Sequence, residues 1–217
     1  MYRVVHGNST QTPDVQDFID LLNKLTFHPF APARELFNAE TDLIVSRAPG
    51  RLDVMGGIAD YSGSLVLEFP IAEATFAAIQ LNAERTLNIV TMLDEEPRYS
   101  SFTMPLSVFD GPLEYEAARQ FFQRDGGSRW PAYVAGVFLV LMRERNVSFA
   151  SGANILISSR VPLGKGVSSS AALEVAVMQA VADGTVVARS VPSNDQYKLQ
   201  REYPTGELFA HSKRRSG

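Results

Sequence analysis

The sequence holds no cysteine, and that absence excludes disulfide scaffolds, thiolate metal centres and cysteine nucleophiles together. Histidine is scarce as well: His6, His28 and His211 are too widely separated to suggest a histidine-based metal site. Charge of one sign is also missing. Twenty basic against 24 acidic residues leave a formal net charge of -4, with no long-range pull toward nucleic acid or anionic lipid. No apolar run is long enough to span a bilayer, and the opening stretch MYRVVHGNSTQTPD has no apolar signal core. The expectation is a cytoplasmic protein with neither a nucleic-acid nor a membrane partner, in which any polyanion is held by local features.

What the chain does contain is ordinary for a globular protein: 45% hydrophobic and 20% charged residues over 217 positions, enough for one sizeable core. Thr12-Pro13-Asp14 reads as a helix start, and Val15, Phe18, Ile19, Leu22 and Leu25 follow at helical spacing. Asp42–Arg47 predicts a short strand running into Ala48-Pro49-Gly50-Arg51. Leu65–Phe69, Thr75–Leu81 and Leu87–Met92 read as three further strands. Leu113–Gln123 and Pro131–Arg143 predict helices, the second with Tyr133, Val134, Val137, Phe138 and Leu141 on one face. Asn154–Ser158 predicts a strand and Ser168–Ala182 a buried helix.

Between those last two lies VPLGKGVSSSAA, Val161–Ala172. Gly164 and Gly166 let the backbone come close to a ligand in angles that a side chain would forbid. Ser168, Ser169 and Ser170 sit where the helix begins, where free N–H groups and the positive end of the helix dipole face an anion. Serine hydroxyls there can ligate Mg²⁺, a hard cation that prefers oxygen. Lys165 adds a positive charge of unknown direction, and the Walker A pattern is absent. Glycine- and serine-rich turns also cap helices without any ligand, and these residues alone do not decide between the two.

The extended string VPLGKGVSSSAALEVA is similar to the PLGxGLSSSAALEVA motif of the GHMP kinases, in its galactokinase form. The resemblance implies an α/β (α+β) fold, ribosomal protein S5 domain 2-like, with a mixed sheet and packed helices. It also implies that Pro162, Gly164, Lys165, Gly166, Val167, Ser168, Ser169, Ser170 and Ala171 embrace ATP, with Ser169 contributing to Mg²⁺. A second stretch, APGRLDVMGGIADYSG at Ala48–Gly63, resembles the galactokinase signature APGRVNLIGEHTDYNGG. A carboxylate such as Asp60 is suited to accept from paired sugar hydroxyls, and Arg51 can hold positive charge near a reacting hydroxyl or phosphate. The resemblance implies those roles, with Arg51 catalytic and Arg51, Asp60 and Tyr61 at the sugar. A bare turn and a surface arginine are the plainer reading of this stretch by itself.

Gly57-Ile58 stands where galactokinases carry Glu-His, and Ala59 replaces the usual threonine. The galactokinase resemblance implies that those polar groups face the far side of the sugar, including its C6 hydroxymethyl, so a site without them is expected to suit a sugar that lacks that group. L-Arabinopyranose is galactose lacking that carbon, and GRLDVMGGIADYSGSLVL resembles the kinase domain of L-arabinokinases. The implied activity is an ATP-dependent sugar 1-kinase for L-arabinose or galactose. Two later features that the resemblance implies, an aspartate in a GxMDQ-like motif and a third glycine-rich motif, are not in this chain. The chain is therefore expected to be weakly active or inactive alone, the alternative being a non-catalytic sugar or nucleotide sensor. Residues 1–183 are expected to form the kinase domain, with 1–33 as a helical extension. Residues 184–217, which faintly resemble a penicillin-binding protein segment, read as an atypical tail, unstructured or from a hybrid reading frame.

Overall fold

The computed structural model describes residues 1–6, 12–56, 65–93, 99–111, 115–123, 130–184 and 196–201, with the backbone alone at 116, 117, 123 and 196–201. A seven-stranded sheet forms the middle of the molecule. Its strands are β1 (Tyr2–His6), β2 (Leu43–Met55), β3 (Leu67–Asn82), β4 (Thr86–Leu93), β5 (Tyr99–Pro105), β6 (Gly152–Ser159) and β7 (Gln196–Arg201), in the order β1-β7-β2-β3-β6-β4-β5. All neighbours run antiparallel except β4 and β6, which are parallel. The helices are α1 (Pro13–Lys24), α2 (Ala31–Arg34), α3 (Tyr115–Gln123), α4 (Trp130–Glu144) and α5 (Ser169–Gly184). The fold is the expected mixed α/β arrangement of sheet and packed helices.

Both faces of the sheet are covered, so its central strands read as nearly continuous apolar runs. Alternate residues then divide between two cores, because successive side chains of a strand point to opposite faces. Ala77 and Ile79, Leu87 and Ile89, Ile155 and Ile157 pack with Val134, Val137 and Phe138 of α4 and Ala176, Val177 and Val181 of α5. Phe76 and Ala78, Val90 and Met92, and Leu156 pack on the other side with Val15, Phe18, Ile19 and Leu22 of α1. Phe138 is 1% exposed, and truncating such a ring to alanine costs about 3–5 kcal/mol.

Several predicted elements change length. The two strands expected at Leu65–Phe69 and Thr75–Leu81 are one strand, β3, and Pro70 lies inside it. A proline lacks the N–H a ladder needs. It is tolerated here because β6, the neighbour on that side, begins its pairing only at Thr75. Pro49 is likewise accommodated within β2, whose pairing with β7 stops at Ser46. Beyond these prolines β2 and β3 continue as a two-stranded arm pairing Arg51–Met55 with Leu67–Pro70. Leu52, Val54, Met55, Leu67 and Phe69 are all exposed on it.

The helix beginning after Thr12 forms as expected, and the Thr12 carbonyl accepts from the Val15 N–H at 3.1 Å. Its buried stripe is Val15, Phe18, Ile19 and Leu22. Two ion pairs clasp it to the sheet: Asp14 with Arg47 at 2.9 Å and Asp17 with Arg160 at 3.1 Å. On α4, Val134, Val137, Phe138 and Leu141 are buried, whereas Tyr133 of the expected face is 39% exposed. Edge strands β1 and β5 and the strand β7 are additional to the predicted set, and β7 lies within the segment read as a tail.

Candidate functional site

The loop Arg160–Ser168 joins β6 to α5, and its shape follows from its glycines. Gly164 at φ 66° and Gly166 at φ 73° both occupy the left-handed region, which costs glycine little. A side chain at either would meet no atom within 4 Å, so the backbone there lies open. Gly164, Lys165, Gly166 and Ser170 are exposed, Pro162, Val167, Ser168, Ser169 and Ala171 half-buried.

Ser168 departs from the expected helix. It has φ 58°, also left-handed, and stands just before α5, whose first residue is Ser169. The Ser168 carbonyl accepts the first helical bond from Ala172 at 3.0 Å. Residues with this backbone sit in a sparsely populated region that costs of order 1–3 kcal/mol and persists only where neighbours enforce it. Those neighbours are α5 below and β2 beside the loop. Ala172, Ala176 and Ala180 let α5 approach the sheet closely, and the buried Ser46 hydroxyl of β2 donates to the Ala176 carbonyl.

The contact with β2 joins the two sequence motifs. At Gly50 the register with β3 shifts between Pro49 and Arg51, a bulge that re-aims the chain. A methyl group on Gly50 would lie 2.8 Å from Val161 Cγ1 and 2.9 Å from the Val167 carbonyl oxygen, so only glycine fits. Arg51 then donates its backbone N–H to that same carbonyl at 3.0 Å. Its side-chain Nε donates to Ser168 Oγ at 3.2 Å and meets Glu68 Oε1 of β3 at 3.1 Å.

The structure therefore brings together Arg51 and the serine turn, 117 positions apart in the chain. Gly57, Ile58, Asp60 and Tyr61 lie outside the described residues. The arm ending at Gly56 leads into them from one side and Leu65 receives them on the other. Glu68 was not among the residues the sequence singled out. Its signal is faint: one carboxylate inside the otherwise apolar run Leu65–Phe69.

The donor set is one that can hold an anion. It has a 16-residue helix whose N-terminal N–H groups have no intrahelical acceptor, an open glycine backbone, and a guanidinium bonded to the last residue before the helix. The hydroxyls at Ser168, Ser169 and Ser170 are hard oxygen donors of the kind Mg²⁺ takes. Among the described residues no helix is long and apolar enough to cross a membrane.

Comparison with known proteins agrees with this geometry in both regions. Residues 132–200 match the family of the GHMP kinases N terminal domain, and residues 34–81 match the galactokinase galactose-binding signature. The chain is 48% identical over 184 residues to an L-arabinokinase of Arabidopsis thaliana, a match covering 73% of this chain and 18% of that protein. The solved structure of Lactococcus lactis galactokinase complexed with galactose shares the fold at a TM-score of 0.59 and 22% identity. That match covers 81% of this chain and 39% of the galactokinase. The chain thus spans well under half the length of either relative.

Proposed function

Because the chain carries the GHMP kinase N-terminal domain and the galactokinase galactose-binding signature, we propose that it is part of an ATP-dependent sugar 1-kinase. In this reading it acts in the cytoplasm and turns L-arabinose or galactose into the sugar 1-phosphate. Alone, it turns over weakly or not at all. The observation that carries the reading is the bond from Arg51 to Ser168, which joins the sugar signature to the phosphate turn.

Phosphoryl transfer asks a protein chiefly for positioning and for charge stabilisation fixed before the step. The backbone from Pro162 to Ala171 would hold the ATP phosphates: N–H groups at Gly164 and Gly166, then those of the first turn of α5. Ser169 would hold Mg²⁺ through its hydroxyl oxygen; the ion, when bound, neutralises phosphate charge. Arg51 stands between turn and arm, where its guanidinium would bind the transferred phosphoryl group or the sugar oxygen that receives it. Asp60 would accept from two sugar hydroxyls and Tyr61 would flank them. Gly57 and Ile58 would leave the far side of the sugar apolar, which favours L-arabinose over galactose. The identity shared with an L-arabinokinase supports that order.

The sequence contains no GxMDQ-like motif. Phosphoryl transfer depends chiefly on positioning and electrostatics, so turnover without that motif is expected to be slow rather than abolished. An ADP-release assay with MgATP and each sugar tests the reading. Slow, arabinose-dependent release that Arg51→Ala abolishes is expected. Ligand-dependent thermal stabilisation with no ADP release would favour a sensor, normal turnover would refute the weak activity, and no response to MgATP or either sugar would sink the kinase reading.

A further inference from the structure

Arg51 is a rigid, planar fork on a long flexible stem, so its direction depends on what anchors Nε. Two anchors are present: Ser168 Oγ at 3.2 Å and Glu68 Oε1 at 3.1 Å. They differ in kind. The serine is neutral and stands in the turn where the anion would bind, whereas Glu68 is charged and stands away from it on β3. Glu68 faces Asp53 across the arm, and Arg51 pairs with Pro70, one step further along the same face. The bulge at Gly50 brings Arg51 into reach of both the turn and this carboxylate.

Resting on the kinase reading above, we propose that Glu68 is a positioning residue, which holds the Arg51 guanidinium beside the phosphate turn before nucleotide arrives. A carboxylate close to a phosphate site would, by charge alone, weaken anion binding. At this site orientation outweighs repulsion. The side chains of Arg51 and Glu68 are 43% and 29% exposed, so water screens the longer-range repulsion, while the ion pair at Nε acts at contact distance. Charge and anchorage then predict opposite signs for the same two variants. If Glu68 acted only as a negative charge, both Glu68→Gln and Glu68→Ala would bind MgATP more tightly. If it anchors Arg51, both variants lose the ion pair and bind MgATP more weakly.

The experiment measures MgATP affinity of the full chain by titration calorimetry for the unaltered protein, Glu68→Gln and Glu68→Ala. The Arg51 Nε–H resonance is followed in ¹⁵N spectra of the same samples without nucleotide. Expected are affinities about two- to fivefold weaker in both variants, with the Arg51 resonance moved toward its free-arginine position in both. In an Arg51→Ala background, which leaves no cation to hold, Glu68→Ala should not weaken affinity further. Tighter binding by both variants, unchanged affinity in Glu68→Ala, or an unmoved Arg51 resonance in it would each overturn the positioning role. Failure of the unaltered chain to bind MgATP would instead overturn the kinase reading, and is told apart because the resonance still reports whether Glu68 holds the guanidinium.

Discussion

At the scale of single residues, two opposing terms meet at Ser168. Its left-handed backbone, φ 58°, costs of order 1 kcal/mol that glycine would not incur. Its hydroxyl bond to Arg51 contributes a similar amount, about 1 kcal/mol net. Ser168→Gly should therefore leave the melting temperature nearly unchanged while weakening MgATP binding, and a large loss of stability on melting would show the strain to be misjudged. His28 offers a second, unrelated test. Burial, helped by nearby Arg34, pushes its pKa below the ordinary 6.5, and its Nδ1 accepts the Phe30 N–H at 3.2 Å as only a neutral ring can. The unfolded chain then takes up this proton at a higher pH than the folded one. Stability should fall as pH drops below about 6.5 toward the lowered value, and the fall should be smaller in His28→Gln when urea midpoints at neutral and mildly acid pH are compared.

At the scale of elements, the tightest fit is where β6 begins. A methyl group on Gly152 would lie 2.2 Å from the Thr86 nitrogen and 2.3 Å from its carbonyl oxygen, both backbone atoms of β4 that cannot swing aside. Gly152→Ala should cost at least the 1–3 kcal/mol typical of overpacking, read as a lowered urea midpoint. An unchanged midpoint would mean that β4 shifts freely. The elements legible in the sequence are those whose pattern is set by burial on a fixed period. The α1 stripe from Val15 to Leu22 and the runs in β4 and β6 were clear for that reason, as was the glycine-serine turn, whose backbone demands are local. The strands β1 and β5 were not legible, because edge strands have one neighbour and a weak apolar signal; Tyr99–Pro105 buries only Met104. The joining of two strands across Pro70 depends on where β6 stops, which no local pattern records. The Arg51 contacts were half legible: the arginine stood in a motif, but its partners follow from a bulge and from packing of α5. Glu68 became visible only once β3 was paired with β2.

At the scale of the whole molecule, two helical layers close both faces of one sheet, and the site lies where an arm leaves that body. The arm carries Leu52, Val54, Met55, Leu67 and Phe69 into solvent, and exposed apolar side chains grouped in this way favour association between molecules. Replacing Leu52 and Phe69 together by lysine should reduce concentration-dependent light scattering without altering the fold by circular dichroism. The order of the sheet has a separate consequence for how the molecule opens. β1 pairs with β7 alone, and β7 in turn pairs with β2 at Leu43–Ser46. Among the described strands, the first is thus tied to the sheet's ladder through the last. Among the described residues, release of Gln196–Arg201 removes the strand partner of Tyr2–His6, while the Tyr2 N–H keeps its bond to Asn23 Oδ1 on α1, so the strand-bonded amides of the two segments should exchange with deuterium as one cooperative unit. They should do so faster than those of β3 and β6 at the centre, and a mass-spectrometric exchange experiment in which β1 stayed protected after β7 had opened would disprove the linkage.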